Sequence, residues 1–290
     1  MYAPTFDYYR ARSVADAQHL LAAHPGAKLL AGGHSLVPLM KLRLAAPPAV
    51  VDIGRIAELR GVSRHGNDIR IGALTTHAEL VESPDLRLAA PALAEAAALV
   101  GDPAVRNRGT IGGNIAHADP ASDLPTILVA LDARVHVAGP HGERTVPAEH
   151  FFTGIMATAL EETEIVVSVH LHAAGKHQGS AYEKFAHPAS RYAVVGAGVL
   201  VTIENNSFTA ARVALGGLLP HARRTGAVER ALIGKPATEH AIADAAEQVT
   251  DDLREDVTGD IFASAEYRVA MAPVYIRRAL TTAIARAKML

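Results

Sequence analysis

The chain has 290 residues, 49% hydrophobic and 20% charged, which is enough apolar material for packed cores and enough length for two domains of ordinary size. A net charge of -2 supplies no concentration of positive charge for a polyanion, so nucleic acid is not an expected partner. Cysteine is absent, which excludes disulfides and leaves no thiolate for an iron–sulfur cluster or a structural zinc.

Residues 1–12 are polar and aromatic rather than basic and then apolar, so no signal peptide is expected, and no run approaches the ~18 apolar residues of a membrane span. A cytoplasmic location is the resulting expectation. Residues 13–23 predict a helix with Ser13 as N-cap and Asp16 in the first turn, ending before Pro25 and Gly26. A brief buried strand over 28–31 then breaks at Gly32 and Gly33, and 36–44 predict a helix with Pro38 in its first turn, where proline is tolerated.

Strands are predicted over 50–53, 68–72 and 73–75, and the alanine-rich stretch 86–100 predicts one helix. Gly, Pro, Asn and Asp crowd residues 101–119, which therefore read as a long functional loop. A helix follows over 124–131, with strands over 134–138, 165–171 and 181–185. Residues 173–179 read as the boundary between a domain of residues 1–175 and one of 176–290. The second contains strands over 193–203 and 210–215 and helices over 227–232, 239–249 and 265–288.

Two glycine loops carry the chemistry. Leu29-Leu30-Ala31-Gly32-Gly33-His34-Ser35-Leu36 brings backbone N–H groups together at a helix start, a geometry that suits phosphate, although an ordinary strand-to-helix turn explains it equally well. About 80 residues later Thr110-Ile111-Gly112-Gly113-Asn114 repeats the device with a hydroxyl, two glycines and a side-chain amide, so the two loops could share a pyrophosphate. No G-x-x-x-x-G-K-[ST] is present, and Gly196-Ala197-Gly198 lacks the third glycine of a dinucleotide fingerprint. The 15 histidines include His170 and His172 on one strand face, but without a third ligand at recognisable spacing they read as surface or packing residues. Nothing marks a catalytic triad or a carboxylate pair, so no catalytic residue and no metal ligand is assigned.

The pair AGGHSLVPLMKLRLA and RNRGTIGGNIAHADPASD, in this order and spacing, resembles the FAD-binding medium subunits of the molybdenum hydroxylases, the xanthine dehydrogenase family, and most closely the branch of aerobic carbon monoxide dehydrogenase medium chains. The likeness extends from FDYYRARSVADA to AEYRVAMAPVYIRRAL. It implies an α+β chain: a vanillyl-alcohol-oxidase-like, PCMH-type FAD-binding domain of two α/β lobes, then a smaller C-terminal α/β domain with an antiparallel sheet and helices. It also implies that the FAD diphosphate lies between the two loops, that Asp123 contacts the flavin's sugar-like chain and that Lys184 lies near the flavin ring. Val100 and Val166 align with apolar positions beside the adenine or the ring, and Tyr192 with an aromatic at the ring face.

The resemblance further implies two partners, a small subunit with [2Fe–2S] clusters and a large subunit with the molybdenum cofactor, assembled as a dimer of heterotrimers. This chain would pass electrons from the clusters through FAD to a quinone, O2, NAD or another external acceptor. The substrate is oxidised on the large subunit; the resemblance favours CO modestly over aldehydes and over N-heterocycles of the xanthine, nicotine or caffeine type. The rival readings are a self-contained FAD oxidase and a non-catalytic phosphate-binding protein. The absence of cysteine fits clusters carried by another chain.

Overall fold

The computed structural model describes residues 2–253 and 256–289; Met1, Arg254, Glu255 and Leu290, which the two expected domain spans include, lie outside them. The first lobe is a parallel sheet in which Ala49–Asp52 lies between Asp7–Arg10 and Lys28–Leu30. Strand Asp7–Arg10 has no strong sequence signal, because most of it is exposed; its parallel pairing with Ala49–Asp52 is what fixes it. Helix Val14–Ala23 crosses between strands, and its Ser13 side chain accepts from the Asp16 N–H, as the capping pattern predicts. A small core around Ala17, Leu21, Val51, Ile56 and Leu74 fills the space beneath.

The second lobe is an antiparallel sheet ordered Val62–His65, Asp68–Gly72, Ile165–His172, Arg134–Gly139, Gly142–Pro147. Period-2 alternation puts Ile69, Ile71, Val135, Val137 and Val169 on one face, where helices Pro91–Leu99 and Asp123–Ala130 complete the main core. The third unit is an antiparallel sheet of Gln178–Ala186, Ala193–Glu204, Ser207–Gly216 and Arg223–Arg224. Helix Ala265–Ala287 packs on one face of it, and helices Pro91–Leu99 and Asp123–Ala130 reach its other face. The C-terminal sheet therefore shares two helices with the second lobe, and the two halves are joined by packing as well as by chain.

Four sequence expectations are corrected. Residues 73–75 form a turn, because Ala73 and Leu74 bond out of register, to Val167 and Leu59 carbonyls. The stretch 86–100 belongs to two helices, Pro84–Ala89 and Pro91–Leu99, since Pro91 removes an N–H and forces Ala90 out of the helical region (φ -147). The helix expected over 36–44 ends at Lys41, and Arg43 takes φ 60. Residues 101–119 are not one irregular loop. They hold two short helices, Pro103–Arg106, capped by Asp102, and Ile111–His117, capped by Thr110.

Candidate functional site

The first loop leaves strand Lys28–Leu30 and turns at Gly33, whose φ of +76 lies where an L side chain is strained. Helix Leu36–Lys41 then begins without a side-chain cap. Among the described residues the N–H groups of Gly32, Gly33, His34 and Ser35 have no acceptor, while the His34 Nε2 lies 3.2 Å from the Ala104 carbonyl. Unpaired donors at a helix start, partly buried at Gly32, Gly33 and Ser35 and exposed at His34, are chemically suited to an anion. Leu29 packs toward the small core, Leu30 lies under Gly33, and Leu36 is half-buried at the helix start.

The second loop differs in kind. The Ile111 N–H donates to the Thr75 carbonyl (3.0 Å), that of Gly112 to the Ala73 carbonyl (2.8 Å), and that of Gly113 to the Thr110 hydroxyl (3.2 Å). Its first three backbone donors are spent in fixing the loop. Gly112 is there for close approach, since a Cβ on it would lie 2.5 Å from the Ala73 Cβ. What the loop offers outward is the exposed, side-chain-free Gly113 and the amide of Asn114, whose Oδ1 accepts from the Ser122 hydroxyl at 2.8 Å.

The two loops meet. A Cβ on Gly32 would lie 1.9 Å from the Arg108 carbonyl oxygen and 3.1 Å from the Gly109 Cα, and a Cβ on Gly113 would lie 3.9 Å from the Ala31 Cβ. Beneath this junction sits His77, 2% exposed: its N–H donates to the Gly109 carbonyl, and the flanking Thr76 bridges Thr110.

Asp123 and Lys184 form a buried ion pair, Nζ to Oδ2 2.8 Å, with side chains 5% and 2% exposed. The Tyr182 hydroxyl donates to the other carboxylate oxygen at 2.8 Å, and Lys184 also donates to the Leu99 carbonyl at 3.1 Å. Burial pushes the Asp123 carboxyl above the usual carboxylate range, against the opposing pull of Lys184 and of the Tyr182 hydroxyl; burial and the Asp123 charge push the Tyr182 phenol well up. Sequence reasoning missed Tyr182, although it stands two residues before Lys184 on a strand and so shares its face. Tyr182→Phe should cost about 1.5–3 kcal/mol, the worth of a hydrogen bond to a charged group, read as a lowered denaturant midpoint.

The remaining candidates are placed separately. Val100 caps helix Pro91–Leu99 and gives its carbonyl to Arg106 (3.0 Å). Val166 is 6% exposed within the main core, whereas Tyr192 is 45% exposed, its phenol pushed up by burial and by Asp119. His170 stacks on His136 at 3.8 Å and His172 pairs with Asp68 at 2.9 Å.

Unpaired N–H groups beside a side-chain-free face suit a diphosphate, so the loop residues fit that part of an FAD, whereas Asp123, Lys184 and Tyr182 form a buried, internally paired cluster joined to the second loop through Ser122 and Asn114. The comparisons agree. Residues 4–173 match the FAD binding domain in molybdopterin dehydrogenase, and residues 180–283 the CO dehydrogenase flavoprotein C-terminal domain. The medium chain of carbon monoxide dehydrogenase from Hydrogenophaga pseudoflava is 43% identical over 290 residues, 99% of each chain. The nicotine 6-hydroxylase medium subunit of Paenarthrobacter nicotinovorans is 33% identical over 283 residues, covering 98% of this chain and 99% of the relative. The solved structure of the Hydrogenophaga pseudoflava carbon monoxide dehydrogenase lacking the Mo-pyranopterin moiety superposes with a TM-score of 0.94, again over 99% of each chain. With both domains matched and relatives alike over nearly their whole length, the chain belongs to the family of FAD-binding medium subunits of the molybdenum hydroxylases.

Proposed function

We propose that this chain is the electron-transfer flavoprotein of a three-component hydroxylase, with residues 1–175 as the FAD-binding domain and 176–290 as the C-terminal domain. Its partners are a small [2Fe–2S] subunit and a large molybdenum subunit, assembled as a dimer of heterotrimers, a heterohexamer, in the cytoplasm. Among the described residues no helix is long and apolar enough to cross a membrane. The chain has no cysteine, so cluster ligation falls to another subunit. Bound FAD would supply exchange between one-electron and two-electron steps, linking the clusters to an acceptor such as a quinone, O2 or NAD.

The protein's own part is positioning. Residues 31–35 hold the diphosphate by backbone donors, residues 110–114 form its opposite wall, and Asp123, Lys184, Tyr192, Val100 and Val166 serve the sugar-like chain, ring and adenine. No residue of this chain is assigned a catalytic step. The observation that carries the reading is the meeting of the two loops in a chain that matches a carbon monoxide dehydrogenase medium chain from end to end. CO is the favoured substrate of the complex, oxidised on the large subunit. The likeness to the nicotine 6-hydroxylase medium subunit supports a second reading, an N-heterocycle or aldehyde dehydrogenase of the same architecture.

The purified chain is expected to show a flavin spectrum at about one FAD per chain, and replacing Gly33 or Gly113 with a bulky residue should abolish it. A colourless protein that takes up no added FAD sinks the reading in favour of a phosphate-binding protein. A flavin that is reduced directly by a small substrate, on a chain that recruits no partner, favours a self-contained oxidase.

A further inference from the structure

Three layers stack at the junction of the glycine loops. The Gly32 backbone lies on the Arg108–Gly109 peptide, and that peptide lies on the His77 ring: a methyl at Gly109 would come within 2.8 Å of the ring's Cδ2 and 2.9 Å of its Nε2. The ring is held from its own side by the His77 N–H bond to the Gly109 carbonyl (3.0 Å) and by the Thr76 and Glu79 capping box. Its Nδ1 is buried and, among the described residues, without a hydrogen-bond partner. No group among them is placed to receive a second proton on the ring, and its contact with the Gly109 peptide is one of shape.

The charges around it reinforce neutrality. Of the groups facing the ring, His34 from the first loop and Arg106 from helix Pro103–Arg106 both disfavour an imidazolium; burial is the larger cause, and together they hold the ring at about 4. Of the carboxylates on its own and the neighbouring elements, Glu79 is engaged with Thr76, Asp102 with the Val105 N–H and Glu95 with Arg286, while Glu82 at the end of the same helix is exposed. Asp85 and Arg87 lie on the adjoining helix, where Arg87 donates to the Val81 carbonyl, and neither is bonded to the ring. A proton on His77 would therefore sit buried, uncompensated and against a peptide that cannot move without parting the loops.

We propose that His77 is a positioning residue for the flavin site: its neutral ring is the floor that holds the two glycine loops together, and its protonation parts them, making FAD retention sensitive to acid. This rests on the FAD reading above. The sign follows from linkage. A histidine whose folded value is lowered leaves the closed arrangement at full strength above the ordinary value of about 6.5, and weakens it as pH falls from there toward about 4.

The test is release of flavin fluorescence from the full chain loaded with FAD, titrated from pH 7.5 to 4.5, in wild type, His77→Gln and His77→Leu. Wild type is expected to bind FAD at least about tenfold more weakly at pH 5 than at pH 7, since one linked proton contributes up to about tenfold per pH unit. The variants should bind more weakly at neutral pH but lack that slope; titration of Asp123 is common to all three and cancels. Parallel profiles overturn the inference alone. A wild-type chain that takes up no FAD at pH 7.5 overturns the flavin reading and this inference with it. If neither variant folds, the histidine Cε1–H resonances of the wild-type holoprotein decide: one must stay neutral until release and titrate with it, and independent titration of every histidine overturns the proposal.

Discussion

Gly32→Ala is expected to lower FAD affinity at least about 100-fold, a loss of about 2.8 kcal/mol, while leaving the C-terminal sheet folded. The added methyl would lie 1.9 Å from the Arg108 carbonyl oxygen and 2.7 Å from its carbon, both backbone atoms. That peptide cannot swing aside, because the Arg108 and Gly109 N–H groups donate to the Val105 carbonyl and the Gly109 carbonyl accepts from His77. The loops must separate instead, and separation removes the wall against which the free donors of residues 32–35 would hold a diphosphate. Gly33→Ala is milder: its nearest contacts are side-chain atoms of Val37 and Leu30 at 3.2 and 3.3 Å, and the cost is the positive φ, about 1–2 kcal/mol. Gly113→Ala meets the Thr110 hydroxyl at 2.9 Å, the oxygen that accepts from the Gly113 N–H, so its cost is a weakened cap of about 1 kcal/mol or less. The order of stability loss should be Gly32, then Gly33, then Gly113, with flavin absorbance per chain and a urea midpoint as readouts. A Gly32→Ala protein with full flavin content would mean that loop contact is not what forms the site.

The same geometry explains what the sequence could and could not disclose. Each loop is visible in the sequence as a glycine pair, which alone suits an ordinary turn as well as a phosphate, and a cap such as Ser13 is a local device legible over four residues. Their meeting is non-local: nothing within residues 29–36 states that Gly32 will lie on Arg108, 76 positions away. Over residues 101–119 Pro103 and the glycines have the look of breakers in sequence, whereas Pro103 sits at a first helical position and Gly112 occupies a helix packed too closely on Ala73 for any side chain. The division of labour between the loops was hidden for the same reason, since the acceptors that consume the second loop's donors belong to residues 73–75. His77 carried no signal at all, for a lone histidine on a short helix is informative only once its burial is known.

Lys184→Met is expected to destabilise the chain by about 3–5 kcal/mol, the cost of removing one partner from a buried ion pair. With the ammonium gone, Asp123 keeps the Tyr182 hydroxyl, its own backbone N–H and its place in the first turn of helix Asp123–Ala130, where the helix dipole favours a negative charge. Asp123→Asn combined with Lys184→Met should recover part of the loss, because no charge is then left uncompensated.

The pH dependence distinguishes this account from simple loss of packing. Burial raises the Asp123 carboxyl, so only between the unfolded and folded values does the folded chain keep a proton that the unfolded chain has released; stability from that source is complete below the unfolded value and is lost as pH rises through the folded one, above which the carboxylate stands paired with Lys184. Lys184 is the first cause acting in the opposite direction, so its removal raises the carboxyl further and extends the falling window upward. The deficit of Lys184→Met relative to wild type should therefore be smallest in acid, where the carboxyl is protonated with or without the lysine, and should grow as pH rises, as followed by denaturant midpoints across a pH series. A deficit of constant size at every pH would show that the lysine contributes by its methylene stem alone, and that the Asp123 carboxylate does not depend on it for its charge.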